Sequence, residues 1–342
     1  VKAFRFYAPG DIRYEEIDRP RPGPGEVLVQ VGAALTCGTD IKTYRRGHPL
    51  LIKQAPTVFG HEFAGAIVET GPGVERFVPG QRVVAANSAP CGACADCAAG
   101  RPSLCEALVF LNGAYAEYVL VPEPIVRCNL LPIPDHLTFR AAALVEPLAC
   151  VLHGLARSEV EPDSTVAVFG AGAIGGLMAA LAAARGARVI VVDLSAARLA
   201  KARQLGAAHT VNAREEADVV GAVRRLTPGG RGVDVALEAV GQPEVWEQAM
   251  AVARRGALVN FFGGCVSGTS IRVDTRRMHY DQLRLIGVFH HTPAFIREAL
   301  AHLADGRVNA AQFVTHEMAL ARLPDAFALV SAGTAIKVAI VA

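Results

Sequence analysis

Apolar positions in the first 150 residues come in short runs of β-branched and small side chains, broken by glycine and proline. GEVLVQVGAA (25–34), FAGAIVETG (63–71) and QRVVAAN (81–87) read as strands. AYAEYVLVP (114–122) alternates at period two, as a half-buried strand does. Prolines at 20, 22 and 24, and again at 122, 124, 132 and 134, mark loops and edges. Near residue 150 the pattern becomes strand alternating with helix. TVAVFG is strand-like and AIGGLMAALAAARG helix-like; RVIVVDL is a strand again. SAARLAKARQLG is a helix with serine at its N-cap and glycine at its end. VDVALEAVG and GALVNFFGG supply further strands. This alternation predicts an α/β domain with a doubly wound parallel sheet. It fades after about residue 288, where one helix, Pro293–Asp305, precedes short strands. The expectation is two domains, 1–150 with 290–342 and 151–289, the last fifty residues returning to the first lobe.

Composition narrows the class. The 342 residues are 52% hydrophobic and 19% charged, which suits a large apolar interior and excludes disorder. A net charge of +2 argues against nucleic acid or a membrane surface as an electrostatic partner. The uncharged run Val166–Ala184 is long enough to raise a membrane span, but it carries four glycines and reads as strand and turn. Charges within the first five residues, with no apolar stretch after them, give no sign of a signal peptide. The expected compartment is the cytoplasm, where clustered cysteines read as metal ligands before disulfides.

VAVFGAGAIGG spells Gly170-x-Gly172-x-x-Gly175 between a strand and a helix, with Ala173 and Ile174 inside the turn. The first glycine permits the tight turn, the second lets backbone approach a pyrophosphate, and the third lets helix and strand pack closely. The pyrophosphate then lies over the helix N-terminus. Asp193, eighteen residues beyond Gly175, ends the next strand. An acid there accepts from the ribose hydroxyls and repels a 2′-phosphate, which favours NAD over NADP. Arg198 reads equally as an adenine neighbour and as a surface arginine.

Two groups of residues point to metal. Cys91, Cys94, Cys97 and Cys105 place four of the eight cysteines within fifteen residues. Four thiolates suit a closed tetrahedral zinc site whose binding free energy stabilises the loop. An iron–sulfur cluster is the weaker alternative, because no second cluster or electron-transfer motif accompanies it. The second group is scattered: Cys37 in LTCGTD, His61 and Glu62 in FGHEFAG, and Glu146 in LVEPLAC. One thiolate, one imidazole and one or two carboxylates make a mixed site with room for water or substrate. Singly, each has a bland reading as a core hydrophobe, a satisfied histidine or a helix-cap acid.

GHE, the four-cysteine lobe, CGTD, EPLA and GAGAIG, in that order and spanning nearly the whole chain, resemble the zinc-dependent medium-chain alcohol dehydrogenases. LVEPLACVLHG and VVDLSAARL look most like the sorbitol (polyol) branch, and TCGTDIKTY is similar to that branch and to threonine dehydrogenases. The resemblance implies a GroES-like catalytic domain made of both chain ends, with a structural zinc lobe at about 88–106, around a Rossmann domain. It implies two zinc ions: one catalytic, on Cys37, His61 and Glu62, and one structural. Glu146 is then a ligand or holds the zinc-bound water. Thr39 takes the place of the hydroxyl that passes the alcohol proton toward the cofactor ribose. Lys337, in TAIKVAIV, falls near where the family often has a basic residue by the pyrophosphate. Many relatives carry histidine five residues after the cysteine; this chain has Lys42, so the relay ends at the lysine, the ribose or water. His48 and His153 are candidate substitutes that read more simply as local packing.

The implied reaction is hydride transfer from a secondary alcohol carbon to the nicotinamide, with zinc as Lewis acid on the alcohol oxygen. A sugar alcohol or cyclitol is the first expectation for substrate, L-threonine or another amino alcohol the second, and a simple aliphatic alcohol the third. His290 and His291, in VFHHTP, read as cleft or surface residues alike. The resemblance suggests a homotetramer, with a homodimer as alternative. A zinc-free quinone-type reductase shares the fold but would not need Cys37, His61 and Glu62. A non-catalytic binding protein on this fold would have lost a ligand or the glycine turn.

Overall fold

The computed structural model describes residues 1–48 and 51–342 and divides the chain into two compact units. One comprises Val1–Ala149 and His291–Ala342, the other Cys150–His290.

The first unit is built on a seven-stranded mixed sheet. Its order runs Leu130–Pro132, Arg82–Ala85, Phe63–Thr70, Val27–Leu35, Lys337–Val341, Val314–Ala319, with Tyr118–Val121 also paired to Val27–Leu35. Val27–Leu35 is central, and seven of its nine residues are buried, which is why its sequence reads as a nearly continuous apolar run. Both chain ends feed one core. Phe59 and Tyr115 from the early chain pack edge-on at 5.1 Å, and Phe327 from the late chain meets Phe59 at 6.2 Å. Burying each such ring contributes roughly 1.5–3 kcal/mol relative to exposure, so the last fifty residues are integral to this unit.

One predicted strand is shorter than its pattern. Of 114–122 only Tyr118–Val121 joins the sheet. Upstream, the Phe4 N–H donates to the Tyr115 carbonyl at 2.8 Å while the Tyr115 N–H donates to Phe59 at 3.0 Å. Residues 113–117 are therefore strapped between two other segments, and period-two alternation cannot distinguish that from a ladder.

The second unit carries six parallel strands in the order His209–Asn212, Arg188–Asp193, Thr165–Phe169, Val233–Glu238, Ala253–Phe261, Arg284–Gly287. Numbered along the chain, that is 3-2-1-4-5-6, the doubly wound order that reverses at its first strand. Thr165–Phe169 is buried at all five positions. It runs into the glycine turn and the twelve-residue helix Ala173–Ala184, so the uncharged run 166–184 is strand, turn and helix. The stretch Phe139–Ala156 is long and apolar enough to span a membrane by composition, and 72% of it is buried inside the protein, as in a core helix.

Candidate active site

Two neighbouring strands deliver the mixed donor group. Val27–Leu35 ends beside Thr36 and Cys37, and its antiparallel partner Phe63–Thr70 begins just after His61 and Glu62. The Leu35 N–H donates to the Glu62 carbonyl at 2.9 Å and fixes the two ends side by side. Cys37 is the N-cap of the helix Gly38–Arg46, its sulfur accepting from the Thr39 N–H at 3.4 Å. Ligand atoms of Cys37, His61 and Glu62 all lie within 4.8 Å of one another.

His61 is buried, and its Nδ1 lies 2.9 Å from Asp40 Oδ1. A carboxylate only accepts, so Nδ1 carries a proton and Nε2 is the atom left for a metal. Burial alone would lower the imidazole pKa; Asp40 and the Cys37 sulfur outweigh it and hold it well above its usual value. A thiolate, an imidazole oriented by a carboxylate and a second carboxylate, with ligand atoms this close together, make a donor set that fits zinc.

Lys337, expected near a pyrophosphate, has a partner within its own unit: it is buried, with Nζ 2.7 and 2.5 Å from the two oxygens of Glu62 and 3.0 Å from the Thr36 carbonyl. Burial opposes its charge, but the Glu62 carboxylate prevails and its pKa is raised. The cause is register: Val338 N–H bonds the Thr36 hydroxyl at 2.9 Å, which draws the start of the final strand behind the donor group. Glu146 is buried in the first turn of the helix Val145–Ala156, near enough to contribute to the Lys337 shift but outside the 4.8 Å group.

Thr39 is half-buried in the first turn of its helix, and Lys42 on the same helix is exposed. His48 Nδ1 accepts from the Leu51 N–H at 3.2 Å, and burial lowers its pKa. His153 Nδ1 donates to the His290 carbonyl at 2.8 Å, and its pKa too is lowered by burial. His291 is buried, with Nε2 2.9 Å from Asn87 Oδ1. These histidines thus have local partners.

The four-cysteine loop gathers Cys91, Cys94, Cys97 and Cys105 with their sulfurs within 4.8 Å, and none of the eight cysteines forms a disulfide. N–H groups of Ala93 and Cys94 point at Cys91 Sγ at 3.4 and 3.3 Å, and that of Cys91 at Cys105 Sγ at 3.2 Å. Those amides bring the Cys91 thiol down to about 6, whereas desolvation and the Cys94 thiol push Cys97 up to about 12. Four sulfurs in one place cannot all ionise without a cation among them. N–H···S contacts around such a group suit a thiolate-bound metal.

In the second unit the glycine turn has the geometry a dinucleotide needs. Gly170 sits at φ +93°, where other residues are strained. A Cβ on Gly175 would stand 1.7 Å from the Gly170 carbonyl oxygen. A Cβ on Gly172 would meet nothing within 4 Å, and Gly172 caps the helix with no side-chain bond to its first-turn N–H groups. Room and open donors, including those around Ala173 and Ile174, therefore face the same place, which fits a pyrophosphate. Asp193 accepts from the Ala171 N–H at 2.7 Å and the Ser195 N–H at 2.8 Å, so it is tied to the turn itself. Arg198 lies in the first turn of the helix Ala196–Gln204, its N–H bonded to Ser195 Oγ at 3.3 Å.

Sequence reasoning passed over Asp40 and Tyr115. Asp40 had a signal: a carboxylate inside CGTD, where a ligating histidine requires an acceptor for its second nitrogen. Tyr115 had none, because its partner lies 75 residues away.

Comparison with known proteins points the same way. The alcohol dehydrogenase GroES-like domain family matches residues 23–135, and the zinc-binding dehydrogenase family matches 173–305. Sorbitol dehydrogenase of Bacillus subtilis (strain 168) is 33% identical, covering 95% of this chain and 92% of its own. L-threonine 3-dehydrogenase of Chelativorans sp. (strain BNC1) is 31% identical, with 95% and 93% covered. A solved structure described as a zinc-binding dehydrogenase of Sinorhizobium meliloti 1021, bound to NADP, superposes with a TM-score of 0.90 at 34% identity, covering 100% of this chain and 99% of its own.

Proposed function

Because the chain belongs to the zinc-dependent medium-chain alcohol dehydrogenases, in the branch of sorbitol and threonine dehydrogenases, we propose that it oxidises a secondary alcohol of a polyol, sugar alcohol or cyclitol to the ketone with NAD. The observation that carries this reading is the meeting of Cys37, His61 and Glu62 with Asp40 behind the imidazole. Zinc held there supplies a Lewis acid for the alcohol oxygen, and NAD supplies the hydride acceptor.

The rest of the chemistry falls to the chain. Cys37 and His61 hold the metal, Asp40 fixes the imidazole, and Glu62 is a further ligand whose charge Lys337 balances. Glu146 is a further ligand or orients water at this group. The Thr39 hydroxyl takes the alcohol proton outward toward the ribose. Gly170, Gly172 and Gly175 cradle the pyrophosphate, and the Asp193 carboxylate accepts from the ribose hydroxyls and disfavours a 2′-phosphate, so NAD is preferred. Arg198 flanks the adenine. Cys91, Cys94, Cys97 and Cys105 bind a second, structural zinc. The reading extends to a cytoplasmic homo-oligomer, a tetramer or a dimer. Threonine oxidation is the second reading, favoured by the 31% identity to a threonine 3-dehydrogenase.

The test is His61→Ala. Alcohol oxidation is expected to disappear while NAD still binds with parental affinity in a calorimetric titration. A variant that turned over at the parental rate would refute the metal mechanism.

A further inference from the structure

Tyr115 lies in none of the motifs that the reaction uses, yet it is tied to the site at three levels. Its backbone segment is laced to the GHE segment: the N–H groups of Gly113 and Ala114 donate to the Gly60 carbonyl at 2.9 and 3.0 Å. Its ring, fully buried, lies against Gly60, where an added Cβ would come within 2.6 Å of it. Its hydroxyl stands 2.5 Å from Asp40 Oδ2 and 3.1 Å from the Leu35 carbonyl. A phenol has one proton, and the shorter, charge-assisted contact takes it. Asp40 thus has one oxygen on the phenol and the other on His61 Nδ1.

A carboxylate held by one bond can still turn about its Cβ–Cγ axis and carry the imidazole with it. Held at both oxygens, inside a packed core, it cannot. We propose that Tyr115 is a positioning residue for the metal site, its hydroxyl locking the Asp40 carboxylate and, through it, the His61 ring. The inference rests on the metal reading above. The rival account makes Tyr115 a core filler, since its ring also packs edge-on against Phe59 at 5.1 Å and Phe327 at 5.9 Å. A phenylalanine would do that equally well without a buried hydroxyl to satisfy. The hydroxyl alone separates the two accounts.

The experiment uses the full chain loaded with zinc, as parent, Tyr115→Phe, Asp40→Asn and the double variant. Zinc release to a chromogenic chelator is followed, with the absorption spectrum of the cobalt-substituted protein as a second readout. Direct orienting partners of ligands are worth about 10–100-fold in metal affinity, so a group one step further out is expected to be worth roughly 3–10-fold. Tyr115→Phe should release the metal of the Cys37–His61 site faster by that factor and shift its cobalt spectrum, while the four-cysteine site releases at the parental rate. Asp40→Asn should lose more, and the double variant no more than Asp40→Asn, because the phenol acts through the carboxylate. Parental release and an unshifted spectrum for Tyr115→Phe, or additive effects in the double variant, would overturn the proposal. If Tyr115→Phe does not fold, Tyr115→Met, which also lacks the hydroxyl, has to show the same selective loss. A parent that binds no metal on Cys37 and His61 would instead sink the metal reading, and this inference with it.

Discussion

Lys337 and Glu62 are in direct contact, an ammonium and a carboxylate both almost wholly buried. Such a pair adds little over a well-packed apolar pair, but removing one partner strands the other's charge. Lys337→Met should therefore destabilise the chain by about 3–5 kcal/mol in urea unfolding. Unchanged stability would mean that the amine's place is elsewhere, as at a cofactor. The partner of Lys337 was not legible in the sequence, since 275 residues separate the two. A separation of 75 residues likewise hid Tyr115 from Asp40. Donor residues announce themselves by type, whereas the side chains that hold donors in place are fixed by strand register.

The most legible elements were those whose function dictates local backbone. The glycine turn needs φ > 0 at Gly170 and no side chain at Gly175, so its spelling follows from its shape. The capping serine and the parallel strands around the turn were equally plain. The segment 114–117 misled because its alternation comes from contacts on two sides, with Lys2–Phe4 and with Phe59–Gly60, and not from a sheet face. The cysteine loop is the element whose stability depends most on what it binds. Its short α-helix, Ala95–Ala98, has no buried residue, so a metal has to supply what a core would. Cys97→Ser is predicted to lower the thermal midpoint by about 10 °C or more, since structural zinc contributes folding free energy outright, while the rate per folded molecule stays close to parental. An equally stable variant lacking that zinc would contradict this.

At the scale of the whole molecule, the strand-rich start, the alternating middle and the returning tail foretold a β-rich lobe made of both chain ends and a doubly wound sheet, and both are present. The strand order 3-2-1-4-5-6 could not be read from pattern alone; it follows from right-handed crossovers on either side of the first strand. In the proposed function, one metal site and one dinucleotide site together serve the oxidation of a polyhydric secondary alcohol. The most direct measurement is the initial rate of NAD reduction with sorbitol, xylitol, myo-inositol, L-threonine and 2-butanol, each with and without a zinc chelator. The account predicts a preference for one polyol or cyclitol, abolished by the chelator. Full activity in the chelator, from enzyme shown to have lost its metal, would contradict it, and activity on threonine alone would replace the polyol with an amino alcohol.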